Sequence, residues 1–309
     1  MSWGGNAIKI SRIGIYSITW QCKIYSIKWQ NCCFMSESTR AYSKAVVLVS
    51  PFIRLLLVII DPFFYLCAVP AILIFGMAKG GFGGGIAVVS VPLMSLAISP
   101  VQAAAILLPI LLVMDAVALW SFRGKWDKPN IKILLPGAVI GIVLGSIGFR
   151  YLSEDMIRIL IGLIAVVFCL NYWLKKPAVA AQGPSVIRGG FWGAVAGFTS
   201  FGIHAGGPPV NMYLLPQRLE KSLLMGTMAI FFAVVNVIKL IPYSLQGSFD
   251  HTNLLTAAVL MPVAPIGVRL GFYLLHKVSE QSIYRICYFF LFVVGLKLLF
   301  DGGAGVFAH

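Results

Sequence analysis

Long apolar runs, separated by short basic or Gly/Pro-rich loops, dominate the chain from residue 45 onward. A membrane-spanning helix needs roughly 20 mostly apolar residues, or about 17 at the short limit. Of the 309 residues, 59% are hydrophobic and 11% are charged, whereas about 25% of the residues of a soluble domain are charged. The pattern predicts an all-α polytopic membrane protein with apolar runs near 45–60, 62–78, 84–98, 101–122, 133–150, 158–174, 189–203, 222–243, 253–275 and 282–300.

The basic excess fits the same class, because the formal net charge is +14. On a soluble domain this charge would indicate nucleic acid, but membrane proteins collect Lys and Arg in their cytoplasmic loops. We therefore expect a lipid bilayer, and no nucleic acid, as a partner. The six cysteines include no Cys-x-x-Cys pair, so neither a metal site nor a disulfide scaffold is indicated and we expect no cofactor.

The first 44 residues form a polar, basic N-terminal extension that differs from the rest of the chain. It has no continuous apolar h-region and no small-residue cleavage site, so it does not read as a signal peptide. Met35 opens an ordinary polar N-terminus, which suggests that residues 1–34 are an over-extended gene start. The alternative is an interfacial segment of basic and aromatic residues.

An internal repeat follows from shifting the sequence against itself. A shift of 121 positions superimposes glycines and polar residues of one half on the other: Gly76 on Gly197, Gly81 on Gly202 and Asp115 on Asn236. A shift of 123 continues the match by placing Asn130 on Asn253. The chain therefore divides into a flanking apolar segment at 45–61, a first repeat at 62–176, a cytoplasmic linker at 177–188, a second repeat at 189–301 and a tail at 302–309.

The charges of equivalent loops predict that the two repeats are inverted. The loop at 123–132 carries four basic residues, whereas its counterpart at 244–252 carries none. Basic loops lie on the cytoplasmic side, so the two loops are expected on opposite sides of the membrane. We predict two inverted repeats with glycine-rich broken or re-entrant helices and about 8 to 10 membrane helices, the architecture of many secondary transporters.

The first candidate site is the motif from Gly76 to Gly85, in which six of ten residues are glycine. Such a run cannot propagate a stable helix, so we expect an unwound bend. The backbone of a bend can approach an anion closely, and the lysine within the motif adds a full positive charge. The candidate substrate-binding residues here are Lys79, Gly80, Gly81, Gly83 and Gly84. The alternative is close helix packing through small residues.

The second candidate site is the motif from Gly197 to Pro209, which occupies the equivalent place in the second repeat. Ser200 stands at the position of Lys79 and offers a hydroxyl donor, and Gly206 and Gly207 complete the candidate set. The two following prolines suit the first turn of a new helix. His204 is a candidate for coupling transport to protons; the alternative is a hydrogen-bonded packing residue.

Three polar residues inside apolar runs are candidates for coupling or gating. Asp115 and Asn236 are equivalent in the two repeats, and Lys239 shares a helix face with Asn236. A charge near the bilayer centre costs about 2.5–3.5 kcal/mol on insertion scales, so we expect these groups to face the protein interior. We expect Asp115 to pair with Lys239, either in transport or as a structural ion pair between the halves.

At these motifs the sequence resembles the sulfite exporter TauE/SafE family of membrane permeases. The resemblance spans about Pro62 to Phe300 and rests on the motif Gly76 to Gly85 with Val91-Pro92-Leu93, its second copy Gly197 to Pro209, Gly226-Thr227, and the stretch Asn236 to Lys239. It implies a multi-pass transporter of the inner (cytoplasmic) membrane that moves small sulfur-containing anions outward. It also implies that the substrate-binding region corresponds to the two glycine-rich bends.

The sequence thus predicts a secondary transporter of small anions, and the resemblance adds sulfite or organosulfonates as the substrates. No enzyme signature is present, since neither a P-loop nor a Gly-x-Ser-x-Gly or His-Glu-x-x-His motif occurs. Two alternatives stay open: a permease or channel for another small organic anion, and a non-transporting membrane scaffold. Protons as the coupling ion and a homo-oligomeric state are further open expectations.

Overall fold

A computed structural model describes residue 59 and residues 61–174, 183–274, 277 and 280–307, and every regular element in these ranges is a helix. The predicted N-terminal extension, the start at Met35 and, apart from residue 59, the apolar run at 45–60 lie outside the described residues. The helices are α1 (Pro62–Met77), α2 (Ser90–Met94), α3 (Pro100–Ser121), α4 (Lys128–Gly148), α5 (Glu154–Leu174), α6 (Val186–Ile203), α7 (Gly207–Leu214), α8 (Lys221–Leu245), α9 (His251–Leu260), α10 (Val263–Leu274) and α11 (Glu280–Phe307).

Short polar residues begin the long helices. The Asp61 carboxylate accepts a hydrogen bond from the Phe63 backbone N–H at 2.9 Å, and proline follows the cap at residue 62. Ser99, Asp127 and Asp250 cap α3, α4 and α9 in the same way. Such caps satisfy backbone donors that have no partner within the helix. The helix starts therefore follow from local sequence.

Within the part of the chain that the structure describes, six helices are long and apolar enough to cross a membrane: residues 62–82, 100–121, 128–151, 154–174, 221–245 and 285–307. A seventh span results if α9 and α10, which meet at a 41° bend, are counted as one. The predicted run at 84–98 forms only a 3₁₀ turn at Ala87–Val89 and the five-residue α2, because three consecutive glycines and Pro92 interrupt it. The total of 8 to 10 membrane helices stays a prediction.

One face of α4 shows what the outer surface of the helix bundle offers to a bilayer. Ile140, Leu144 and Ile147 are 58%, 57% and 54% exposed, although they are large and apolar. Their spacing places them on a single face of the helix. Such a face is unfavourable in water but suits lipid chains, which agrees with the predicted multi-pass membrane protein.

Helix packing relates the two halves to each other. The helices α1 and α6 occupy equivalent places in the predicted repeats, and so do α4 and the bent pair α9–α10. The structure packs α1 against α10 and packs α6 against α4, so the first helix of each half contacts the same element of the other half, α4 or its equivalent α9–α10. The equivalent helices α3 and α8 contact each other, as do α5 and α11. These contacts are the ones expected of two equivalent halves. The inversion of the halves across the membrane stays a prediction.

Two buried asparagines repeat one polar contact in both halves. The Asn130 amide exchanges hydrogen bonds with Gln217 at 2.8 and 3.1 Å, and the Asn253 carbonyl oxygen accepts one from Gln102 at 3.1 Å. Both asparagines also donate a backbone N–H to the aspartate that caps their helix. The predicted equivalence of Asn130 and Asn253 therefore extends to their contacts.

Candidate functional site

The first glycine motif forms the unwound bend that the sequence predicts. After α1 the chain makes a π-helical turn, Ala78–Phe82, inside which Gly81 has a φ of 153°. Gly83 follows with φ 71° and ψ 163°, a region of backbone conformation that is essentially restricted to glycine. These two glycine conformations are not helical, so the helical hydrogen bonding ends here and the backbone of the bend lies unwound in the protein interior.

The second motif also breaks, but with a different residue at the turn. Helix α6 ends at Ile203, and His204 adopts the left-handed conformation with φ 53° and ψ 27°. Helix α7 then begins at Gly207 with prolines in its first turn, as predicted. Because proline has no N–H, Gly207 is the one residue of this helix start at positions 207–209 that keeps a backbone donor.

The two bends meet and enclose a cavity of about 40 Å³. A methyl group on Gly84 would lie 2.6 Å from the Gly207 Cα, so only glycine permits this approach. A water molecule needs about 10–15 Å³ on this measure, so the cavity accommodates roughly three water-sized groups. The lining includes Lys79, Gly83, Gly84, Ala118, Ser200, His204, Gly207, Met225, Met228 and Asn236, with Phe75 and Phe232 above the lysine.

A chain of polar contacts joins the halves on one side of this cavity. Lys79 forms an ion pair with the Asp115 carboxylate, and both side chains are more than nine-tenths buried. The other oxygen of Asp115 accepts a hydrogen bond from the Asn236 amide at 2.6 Å. Asp115 and Asn236 are repeat equivalents, 121 residues apart, so the contact between them lies where the two halves meet.

A second polar group lies on the other side of the cavity. The fully buried Lys239 ammonium contacts the Ser200 carbonyl oxygen and hydroxyl oxygen, both at 3.0 Å, and the His204 Nδ1 at 2.7 Å. The His204 Nε2 lies 2.9 Å from the Ala104 carbonyl oxygen. These partners assign the neutral Nε2–H tautomer to His204, which donates to Ala104 and accepts from Lys239.

The expected ion pair between Asp115 and Lys239 does not form. Asp115 pairs with Lys79 on its own half, and the three N–H donors of Lys239 point to Ser200 and His204. Among the described residues, Asp115 is the one buried carboxylate, and no carboxylate lies within ion-pair distance of Lys239. The sequence could not predict this outcome. It places Asn236 and Lys239 on one helix face, but the packing of the other helices determines which side chain each of them contacts.

The glycines divide between the two roles that the sequence left open. Gly83, Gly84 and Gly207 line the cavity, as substrate-binding candidates should. Gly80 packs instead against α10, where an added methyl group would lie 3.0 Å from the Gly271 Cα. Gly206 sits behind Ser200, with its added methyl group 3.1 Å from the Ser200 Cβ.

Gly81 lines a separate cavity on the far side of the bend, so it does not join the central site. Asp115 and Lys239 lie behind the lining, where Asp115 contacts Lys79 and Lys239 contacts Ser200 and His204. The coupling candidates His204 and Asn236 line the cavity directly. The structure thus brings the two candidate groups together around one cavity, which some of their residues line and others do not.

The sequence interpretation missed the apolar part of the lining. Met225, Met228 and Phe232 precede Asn236 on α8 at spacings of three or four residues, which places them on one helix face. Phe232 and Phe75 each hold a ring centroid 5.7 Å from the Lys79 ammonium nitrogen. Extending the face of Asn236 toward the start of its helix would have found three of these residues.

The electrostatics of the site favour an anion. Two buried lysines face one buried carboxylate among the described residues, and the cavity lies between them. A buried ammonium without a carboxylate partner is costly, and an anion in the adjoining cavity lowers that cost. No group of three potential metal ligands from His, Cys, Asp and Glu occurs in the described part of the chain.

The chain is similar to known proteins over most of its length. The family model described as "Sulfite exporter TauE/SafE" matches residues 68–298. The "Probable sulfite/organosulfonate exporter TauE" of Cupriavidus necator is 26% identical over 227 residues, which cover 71% of this chain and 86% of the relative. No solved structure matches the chain significantly. Because the family model matches most of its length, the chain belongs to the sulfite exporter TauE/SafE family.

Proposed function

We propose that this protein is a secondary transporter that exports small sulfur-containing anions, such as sulfite or organosulfonates, across the cytoplasmic membrane. The observation that carries the proposal is the buried Lys239, which has no carboxylate partner among the described residues and lies behind a cavity between two glycine bends. Family membership and the printed name of the Cupriavidus relative support sulfur anions as the substrate class.

The anion would be held by donors from both bends. Asp115 is the one hydrogen-bond partner of the Lys79 ammonium among the described residues, which leaves two N–H groups for a ligand. The Ser200 hydroxyl oxygen accepts from Lys239, so its own proton is available to the cavity. Gly207 adds a backbone N–H at the start of α7. A sulfonate or sulfite group presents three oxygens to these three sources of donors.

A proton on Lys239 would couple to the bound anion. The anion stabilises the charged form of the buried amine, and by linkage the charged amine strengthens binding of the anion. His204 accepts a hydrogen bond from Lys239 through Nδ1 and lines the cavity, so its Nδ1 is the group that would take up that proton. We therefore propose protons as the coupling ion and assign no catalytic role to the site.

The apolar lining favours one second candidate. Phe75, Phe232 and Met228 would contact an organic group well and a fully hydrated inorganic anion poorly. A small carboxylate with an apolar end would match both the donors and this lining. The alternative function is therefore a permease for another small organic anion at the same site.

The test is exchange of labelled sulfite in proteoliposomes that contain the purified protein. The proposal predicts saturable exchange that an opposing proton gradient alters and that the Lys79→Ala variant loses. The Arg150→Ala variant, which changes an exposed cation away from the cavity, is the matched control and should exchange normally. Flux that does not saturate would indicate a channel, and normal exchange by Lys79→Ala would overturn the assignment of the site.

A further inference from the structure

A second cavity of about 180 Å³ adjoins the central one on the far side of the first bend. It is lined by Gly81, Asn211, Leu215 and Lys221, among others. Leu215 is 55% exposed and Lys221 is exposed, so this cavity reaches the protein surface beside the start of α8. It therefore forms a vestibule with a cationic residue at its mouth, which we call the Lys221 vestibule.

Two residues form the wall between the Lys221 vestibule and the central cavity. Gly83 and Met225 line both spaces. Gly83 contributes backbone without a side chain, so among the described residues the Met225 thioether is the one side chain that both spaces share. Methionine is unbranched and rotates about three side-chain bonds, which lets it fill or vacate a gap at small cost. Rotation of this single side chain would join the two spaces.

The opposite side of the central site is closed by aromatic residues. The Tyr243 hydroxyl donates to the Phe201 carbonyl oxygen at 2.6 Å, and the two rings lie 5.2 Å apart. Phe249 continues the cluster at 6.0 Å from Tyr243, which is itself 4% exposed. The His204 ring faces Tyr243 at 6.4 Å. Several rings and a hydrogen bond would have to move before an anion could pass on this side.

The repeat relates the two sides residue by residue. The shift of 121 positions that joins Asp115 to Asn236 also places Gly83 on His204 and Ala104 on Met225. On one side, Gly83 and Met225 form a wall of one flexible side chain. On the other, the His204 Nε2 contacts the Ala104 carbonyl oxygen at 2.9 Å and lies against the aromatic cluster. Residues at equivalent positions thus form a thin wall on one side of the central cavity and a closed contact on the other side.

We propose that the Lys221 vestibule is the entrance through which the anion reaches the central cavity, and that Met225 is its gate. The contact between His204 and Ala104 is the corresponding closure on the opposite side. This inference rests on the proposed anion transport, but it assigns a path and a gating residue that the binding site does not itself require. The cationic mouth at Lys221 favours the approach of an anion.

The test measures access to the central cavity without any transported substrate. Ala229→Cys places a thiol in the cavity one turn beyond Met225, and a membrane-impermeant methanethiosulfonate that carries a sulfonate modifies it. Mass spectrometry of the peptide around residue 229 gives the rate in inverted and in right-side-out membrane vesicles. We expect faster modification from the side on which Lys221 lies, at least tenfold slower modification after Met225→Trp, and faster modification after Met225→Ala.

The control is Leu223→Trp, since Leu223 lies on the same helix but lines neither cavity. This variant should leave the modification rate unchanged. Met225→Leu is a second test in case the tryptophan variant does not insert into the membrane, because leucine restricts side-chain rotation without adding bulk. Rates that do not respond to Met225→Ala and Met225→Leu, or modification chiefly from the opposite side, would overturn the gate. Failure of sulfite exchange with the access pattern intact would count against the proposed function alone.

Discussion

The two glycine bends are equivalent in the repeat, yet they place their charges differently. In the first bend the lysine lies in the bend itself, and Lys79 pairs with Asp115 on the next long helix of the same half. In the second bend Ser200 stands at that place, and the cation, Lys239, comes from the next long helix. The first half therefore balances its lysine with a carboxylate, and the second does not.

This difference indicates a division of labour between the halves. The balanced pair of the first half anchors a lysine at the cavity wall and leaves donors free for a ligand. The unbalanced lysine of the second half supplies a positive charge that an anion can compensate. A site made of two identical halves would either lack the surplus charge or carry it twice, so the asymmetry itself favours one small anion at the place where the halves meet.

The largest effect is expected from breaking the balanced pair. Lys79→Met removes the cation and leaves the Asp115 carboxylate buried without its partner, which costs about 3–5 kcal/mol of stability. Sulfite exchange should be lost as well. The double variant Lys79→Met/Asp115→Asn removes both charges, so it should regain most of the stability but no exchange. Thermal unfolding in detergent and proteoliposome flux measure the two effects. Recovery of exchange in the double variant would show that Lys79 has only a structural role.

Removing the unbalanced lysine should give a different pattern. Lys239→Met deletes a buried charge that has no carboxylate partner, although it also leaves the His204 Nδ1 without its donor, so the ligand-free protein should lose less stability than Lys79→Met does. Affinity for sulfite should fall at least tenfold, or by about 1.4 kcal/mol. Titration calorimetry and unfolding curves on the same preparation test this pair of results. A variant that loses as much stability as Lys79→Met but keeps affinity would contradict the comparison.

A smaller effect is expected from the backbone of the bends. Gly83 and His204 are repeat equivalents, and both have positive φ, but Gly83 occupies a region that other residues avoid. Gly83→Ala should therefore destabilise the protein by about 1–3 kcal/mol. Gly148→Ala is the control, because nothing lies within 4 Å of the added methyl group and the residue is helical. Equal melting temperatures for the two variants would contradict the assigned conformation.

The smallest effect concerns the hydroxyl that replaces a lysine in the second bend. Ser200→Ala removes one donor to the ligand, while Lys239 keeps the Ser200 carbonyl oxygen and His204 as partners. The affinity for sulfite should fall by about 0.5–1.5 kcal/mol, the net value of one hydrogen bond. Ser90→Ala, which removes a buried hydroxyl bonded to the Ala71 carbonyl oxygen, is the control for general loss of packing. An equal loss of affinity in both variants would remove Ser200 from the site.

Local sequence was sufficient to predict the bends, because consecutive glycines cannot propagate a helix and the prolines after His204 fit a helix start. It also placed Lys79 and Ser200 at equivalent positions, and both line the cavity. It could not distinguish Gly80 from Gly83, since Gly80 packs against α10 whereas Gly83 lines the cavity. The sequence likewise could not identify the partner of Lys239, because the packing of helices that are distant in sequence determines that partner.

The most direct test of the central claim is to locate a bound anion by anomalous diffraction. Crystals grown with selenite, a heavier analogue of sulfite, would show the position of the selenium atom. The account predicts one peak in the cavity between the bends, in contact with the Lys79 ammonium group and near Ser200 and Gly207, and no peak there in Lys79→Met/Asp115→Asn crystals. A peak elsewhere in the membrane-spanning region, or an empty cavity in a protein that exchanges selenite, would contradict it.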